Sequence, residues 1–248
     1  MIKIRVLPTR SAPVIQGPPA PPTALGNPGP LGLASFALTT FMLSVFNAGS
    51  NLIDPAVLAV VLPVALFYGG IGQFAAGMWE FRIHNTFGAA AFTSYGCFWM
   101  SFAGYIYFIV PQLESTGKAY QATGLFLFAW LLFTAYMCVA AFRVSRVLFV
   151  LFFVLVITFI LLIVGALAQK PVVTNVGGWF GIVTAFVAWY GSAGVMINTT
   201  FGRKIFPLDY TRLSQCFPSK YHLDNMICGG KIFGSCVPNV LHIFYFYS

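Results

Sequence analysis

The side chains that could do chemistry in this chain are few, and their placement is their main information. Its 248 residues hold 13 Lys and Arg, five Asp and Glu, and three His. Neither a His-Glu-x-x-His helix nor a Gly-x-Ser-x-Gly elbow occurs in the sequence, which disfavours a zinc protease or a serine hydrolase. No His lies where two could hold a haem, and no nucleophile–base pair stands out, so the sequence implies neither an enzyme nor a cofactor. Cys216, Cys228 and Cys236, near His222 and His242, lack the tight pairs of a zinc site. The total of five Cys gives no disulfide framework. What remains is uncharged polar chemistry: Asn47, Gln73 and Tyr95 lie inside long apolar stretches. A polar side chain in hydrocarbon is costly without a partner. These three therefore either line a path or hydrogen-bond between helices.

The elements that must position them are membrane spans. Hydrophobic residues make up 59% of the chain and charged ones 7%, against about 25% charged in a soluble domain. Six apolar stretches are each long enough for a spanning helix of about 20 residues. They run Leu31–Gly49, Pro55–Met78, Thr86–Val110, Gln121–Phe142, Val147–Ala168 and Val176–Asn198. None of the six contains Asp, Glu, Lys or Arg, so the central carboxylate used by many proton pumps is missing. The expected fold is an all-α membrane protein with six transmembrane helices per protomer. Residues 1–26 read as a flexible Pro-rich tail, 27–207 as a six-helix transmembrane domain and 208–248 as a divergent cytoplasmic tail. No signal peptide is evident.

The net charge of +8 is a topology signal. If the N-terminus is cytoplasmic, Lys3, Arg5, Arg10, Arg82, Arg143, Arg146, Arg203, Lys204, Arg212, Lys220 and Lys231 lie inside. Only Lys118 and Lys170 then lie outside, a strong positive-inside bias. Both termini are expected in the cytoplasm. The basic residues face lipid headgroups, and no nucleic acid is expected as a partner.

Helical spacing groups the polar and small residues into faces. Phe36, Thr40, Leu43 and Asn47 share one, and Gly69, Gln73, Ala76 and Glu80 another. Gly88, Phe92, Tyr95 and Trp99 form a third; Gly181, Ala185, Ala188 and Ser192 form a small-residue stripe, which lets helix backbones approach closely in lipid. Asn27-Pro28-Gly29-Pro30-Leu31-Gly32-Leu33 reads either as a plain helix start or as an anion station built on free helix-start amides. Asp54 caps the helix that begins at Pro55. Glu80 is either a proton-handling group or half of a salt bridge with Arg82 or Arg143.

This constellation resembles the acetate uptake transporter family of bacterial acetate–succinate and fungal acetate transporters. The family word N-P-A-P-L-G-L stands here as residues Asn27 to Leu33, with Gly29 in place of Ala. The likeness continues through Phe36-Ala37-Leu38-Thr39-Thr40, Phe67-Tyr68-Gly69-Gly70, Asn85-Thr86-Phe87-Gly88 and Ala91-Phe92-Thr93-Ser94-Tyr95-Gly96. It covers roughly residues 27 to 207. The resemblance implies transport of acetate and related short carboxylates, by proton symport or channel-like passage, from a homo-hexamer with one path per protomer. It implies a constriction of Phe36, Tyr95 and Leu155 and a substrate-range position at Ala188. Together with the polar faces it gives the substrate-binding candidates Asn27, Gly29, Leu31, Gly32, Thr40, Asn47, Gln73 and Ala188, with Glu80 for protons.

The mechanism expected from these residues is an apolar neck between polar vestibules. A carboxylic acid with the pKa of a Glu side chain is only about 2% neutral at a pH of about 6, so scarce acetate gains from a protein path. The Phe36, Tyr95 and Leu155 neck would exclude hydrated ions by dewetting, with Asn47, Gln73 and the Tyr95 hydroxyl donating hydrogen bonds along the way. The alternatives are a channel without proton coupling, another small cargo such as ammonium or succinate, and a membrane sensor or scaffold that acts through its tail. The plasma membrane is the expected location.

Overall fold

The computed structural model describes residues 25–49 and 52–208. The segment before residue 25, and the segment after residue 208 with its Cys and His residues, lie outside the described residues. Six helical rods account for the rest, and no strand occurs among the described residues. They are α1 (Gly29–Asn47), α2 (Pro55–Arg82), α3 (86–114), α4 (Ala119–Ala141), α5 (Arg146–Leu167) and α6 (Pro171–Phe201). The expected six-span all-α architecture is what the chain adopts.

Local chemistry explains where the rods begin and end. Asn27 Oδ1 accepts a hydrogen bond from the Gly29 N–H at 2.8 Å, so α1 starts two residues earlier than its apolar pattern suggests. Asp54 caps α2 as expected, its Oδ1 accepting from the Ala56 N–H at 2.9 Å. Asn85 caps α3 by accepting from the Gly88 N–H at 3.1 Å. Gly202 ends α6 at φ 60°, a left-handed turn that glycine adopts without strain. Both α2 and α3 contain a wide π turn, at Phe67–Gly72 and Tyr105–Ile109 respectively.

Three boundaries differ from expectation in a way that matters. The second helix continues beyond Met78 to Arg82, the third beyond Val110 to Glu114, and the fifth begins at Arg146, so the statement that no span holds a charged residue fails at Glu80, Arg82, Glu114 and Arg146. At Glu80 the cause is that the side chain faces inward and is only 1% exposed. A carboxyl group that has a partner inside the bundle does not end the helix.

The rods form a ring. Close helix packing runs α2–α3, α1–α6, α6–α5 and α5–α4, with α1 also lying against α2. The backbones of α3 and α4 approach each other far less, and large rings fill the gap between them. Phe98 of α3 stacks near Phe126 and Trp130 of α4, with centroids 5.8 and 5.2 Å away. Outward-facing Phe67, Leu125, Val139 and Phe186 are all more than half exposed, as befits a surface solvated by lipid rather than water. The four faces read from the sequence point inward: Phe36 and Thr40, Gln73, Ala76 and Glu80, Phe92, Tyr95 and Trp99, and Ala185, Ala188 and Ser192 are all buried, with Leu43 and Asn47 half-buried.

Small residues set the closest approach. A Cβ on Gly178 would collide with the backbone of Asn47 and Ala48, and one on Gly181 with Ser44 Oγ, so α6 and α1 touch backbone to backbone. Ser192 Oγ donates to the Pro30 carbonyl at 2.7 Å and fastens the other end of the same pair. Gly104, by contrast, has open space around its Cβ position. Gly178→Ala should lower the thermal midpoint of purified protein, since overpacking costs about 1–3 kcal/mol. Gly104→Ala should hold or raise it, because Ala is the better helix former. Paired thermal unfolding in detergent checks both; equal midpoints would contradict this packing.

Candidate functional site

The ring encloses two cavities that meet end to end. The larger has a volume of about 520 Å³ and reaches from Phe36 and Tyr95 to Asn47, Pro55, Tyr105 and Thr123. The smaller is about 160 Å³ and reaches from the same two residues to Asn27, Glu80 and Asn85. Phe36 and Tyr95 belong to both walls. They are therefore the partition. Their rings meet edge to face with centroids 5.3 Å apart. Leu155 faces the larger cavity beside them, and Phe152, one turn away, faces the smaller.

Tyr95 is held in place from several sides. Its ring lies 5.4 Å from Phe133 and 6.1 Å from Phe152. Its hydroxyl sits 2.8 Å from Thr134 Oγ1. Thr134 in turn donates its single hydroxyl proton to the Trp130 carbonyl at 2.7 Å. Tyr95 must then be the donor to Thr134, since a hydroxyl carries one proton. This corrects the expectation that the Tyr95 hydroxyl donates along the path. Its proton is spent on α4, and only its oxygen lone pairs face a passing molecule.

The other sequence-derived residues sort by cavity. Thr40 and Asn47 line the larger one; Asn27, Gly29, Gln73 and Glu80 line the smaller. Gly32 sits beneath the Phe92 ring, where a Cβ would come within 2.6 Å of it. Leu31 is 44% exposed on the outer face. Ala188 is fully buried in helix packing and is not among the cavity walls. The expected cluster of helix-start amides is sparse. Pro28 and Pro30 have no N–H, Gly29 gives its own to Asn27, and Gly32 gives its own to the Pro28 carbonyl at 3.2 Å. At most the Leu31 amide remains in the first turn for an anion.

Glu80 does not stand at an open rim. The Asn85 amide donates to its Oε2 at 2.7 Å, while its Oε1 lies 3.4 Å from the Cβ position of Gly29. The carboxyl thus spans the starts of α1 and α3 at the end of the smaller cavity. Gln73 is 1% exposed, and its Oε1 has no hydrogen-bond partner in the protein. Asn85 and Thr134 are the functional neighbours that sequence reasoning missed. A threonine hydroxyl set in the apolar middle of α4 was the available signal for Thr134. Nothing local links Asn85 to a carboxyl five residues earlier.

Two chambers divided by an apolar partition, inside a multi-pass helical membrane protein, define a transporter or channel rather than an enzyme. The chain belongs to the GPR1/FUN34/yaaH family, whose pattern matches residues 12–209. It is 37% identical over 187 residues to the succinate-acetate/proton symporter SatP of Escherichia coli (strain K12), a match spanning 75% of this chain and 96% of that protein. It is 42% identical over 183 residues to ammonia transport outward protein 2 of Saccharomyces cerevisiae, spanning 71% of this chain and 64% of that one. Its fold is similar to a solved structure of the bacterial acetate channel SatP, with a TM-score of 0.66 at 34% identity, covering 75% of this chain and all of the other.

The Tyr95–Thr134 contact can be tested by a double-mutant cycle. Thr134→Val leaves a buried phenol without an acceptor and should cost about 1–3 kcal/mol of stability. Tyr95→Phe alone should cost less. Adding Tyr95→Phe to Thr134→Val should recover part of the loss. Strict additivity of the two losses in thermal unfolding would remove this bond from the neck.

Proposed function

We propose that this protein carries acetate and related short-chain carboxylates across the membrane, through the two cavities and past the Phe36–Tyr95–Leu155 neck. The partition shared by the two cavities carries this reading, because it leaves one narrow apolar step between two chambers large enough for small solutes. A carboxylate suits the larger chamber better than ammonium does: no Asp or Glu is among its described walls to hold a cation. A dewetted neck excludes hydrated ions, and the only polar atom we assign to it, the Tyr95 oxygen, can accept a hydrogen bond. A carboxylic acid bearing its proton can donate one, so passage as the protonated acid fits the neck, and proton-coupled uptake follows. Glu80, at the end of the smaller chamber, is the group placed to exchange that proton.

The charge pattern supports an orientation. Arg82, Arg143, Arg146, Arg203 and Lys204 flank the helix ends near the smaller cavity, and Lys118 and Lys170 flank the opposite ends. By the positive-inside rule the smaller cavity opens to the cytoplasm, and both termini lie there. Residues 27–207 form the transport unit, in the plasma membrane, as a homo-hexamer with one path in each copy.

Labelled acetate uptake into proteoliposomes, with and without an inside-alkaline pH gradient, tests the reading. Accumulation above equilibrium that collapses with a protonophore is the expected result. Equilibration alone would make the protein an uncoupled channel. Phe36→Ala should raise acetate flux and admit bulkier carboxylates, whereas Glu80→Gln should abolish accumulation while leaving equilibration. Absence of acetate uptake by folded protein, with methylammonium uptake present, would replace the cargo. Absence of both would favour a scaffold acting through residues 208–248.

A further inference from the structure

The larger cavity is out of proportion to a two-carbon cargo. Its volume is about 520 Å³, whereas an apolar cavity of about 150 Å³ already takes up benzene. It falls within the range of roughly 300–1,000 Å³ in which proteins hold drug-sized ligands. Its depth follows from α1. The eleven residues from Phe36 at the neck to Asn47 at the helix end span about 16 Å.

The wall changes character along that depth. Asn47, Pro55 and Thr174 stand at the mouth, on the last residue of α1 and the first turns of α2 and α6. No Asp, Glu, Lys or Arg is among the described walls. Below the mouth, most hydroxyls are spent on the protein itself. Thr158 donates to the Val154 carbonyl at 2.9 Å, Tyr105 lies 2.8 Å from Thr123 Oγ1, and Tyr95 is tied to Thr134. Thr40 Oγ1 and Trp99 Nε1 are buried outright and add no polar surface. What remains is a floor of Phe98, Leu127, Leu155 and Phe159, all buried, with Phe98 and Phe159 edge to face at 6.0 Å. Such a floor holds water poorly, because an ordered water needs roughly two to four polar partners. Burial of hydrocarbon against it is favourable instead.

We propose that the larger cavity is a binding site for an uncharged single-chain amphiphile, of the class of medium-chain primary alcohols. Its hydroxyl lies at the Asn47 mouth and its alkyl chain on the aromatic floor. The Asn47 amide carries both donors and an acceptor, which suits a hydroxyl. A charged head would meet no counter-charge among the described walls. A chain of fitting length ends against Phe36 and Leu155, so the occupant stops the neck from the side of the larger chamber. The site stands on the cavity alone; only the block rests on the reading of the chain as a carboxylate carrier.

The test uses the full chain in nanodiscs with 13C-labelled leucine methyl groups, titrated with primary alcohols from butanol to hexadecanol. The methyl resonances of Leu62 and Leu127, which line the cavity, are identified by their loss in Leu62→Ile and Leu127→Ile and should shift saturably. Leu125, 72% exposed on the lipid face, reports simple partition into the bilayer. Affinity should rise about fourfold per added methylene and level off near dodecanol, where the chain fills the depth. Leu43→Phe and Leu62→Trp narrow the cavity and should each move that plateau to shorter chains; either one decides if the other folds poorly. In protein that takes up acetate, uptake should fall with the same chain-length profile. Unsaturable shifts that match those of Leu125 overturn the site, as does a profile that neither levels off nor responds to the narrowing variants. Saturable binding with acetate uptake unaffected overturns the block. The same binding profile in folded protein without acetate uptake upholds the site and overturns the transport reading instead.

Discussion

Hydrocarbon offers no hydrogen-bond partner, and the polar atoms of the described helices are arranged around that constraint. Helices satisfy the backbone along their length, and side chains satisfy it at the ends: Asn27 holds the start of α1, Asp54 that of α2 and Asn85 that of α3. Inside the ring, most hydroxyls fold back onto their own helix. Polar atoms that do otherwise therefore carry information. They bind helix to helix, as Ser192 does to Pro30, or they fix a ring, as Thr134 does for Tyr95, or they are buried without a partner in residues that line a chamber, as in Gln73, Thr40 and Trp99.

The partition gains its shape from the same economy of donors. Tyr95 is wedged among Phe36, Phe133 and Phe152 and tethered through its hydroxyl to α4. A ring anchored at its polar tip swings less than a free one. The tether also crosses the α3–α4 gap, the loosest backbone seam of the ring, where aromatic side chains supply most of the packing. The Tyr95–Thr134 bond thus serves both the neck and this seam, which the Tyr105 hydroxyl also bridges, 2.8 Å from Thr123 Oγ1.

Much of this was legible in the sequence, because in lipid the period of 3.6 residues has one interpretation: polar and small residues on a shared face point inward. The faces of Phe36, Thr40 and Asn47, and of Gln73 and Glu80, are cavity walls. The family word at Asn27 to Leu33 located the start of α1. The sequence was less informative where partners come from elsewhere in the chain. Glu80 looked like a rim residue because charge normally ends a span, and only the fold brings the Asn85 amide to it. The proline-rich helix start looked rich in free amides until its own side chain and missing N–H groups were counted. Tyr95 looked like a donor to solute because the acceptor that takes its proton lies 39 residues away.

All six helices of the chain contribute to the wall of the larger cavity, from Phe36 on α1 to Thr174 on α6. That has a genetic meaning. In the transport reading proposed above, a defective copy would block its own conduit and leave those of any neighbours complete. Co-expression of wild-type and neck-blocked alleles would then give flux in proportion to the fraction of intact copies, and such alleles would be recessive rather than poisonous to the assembly.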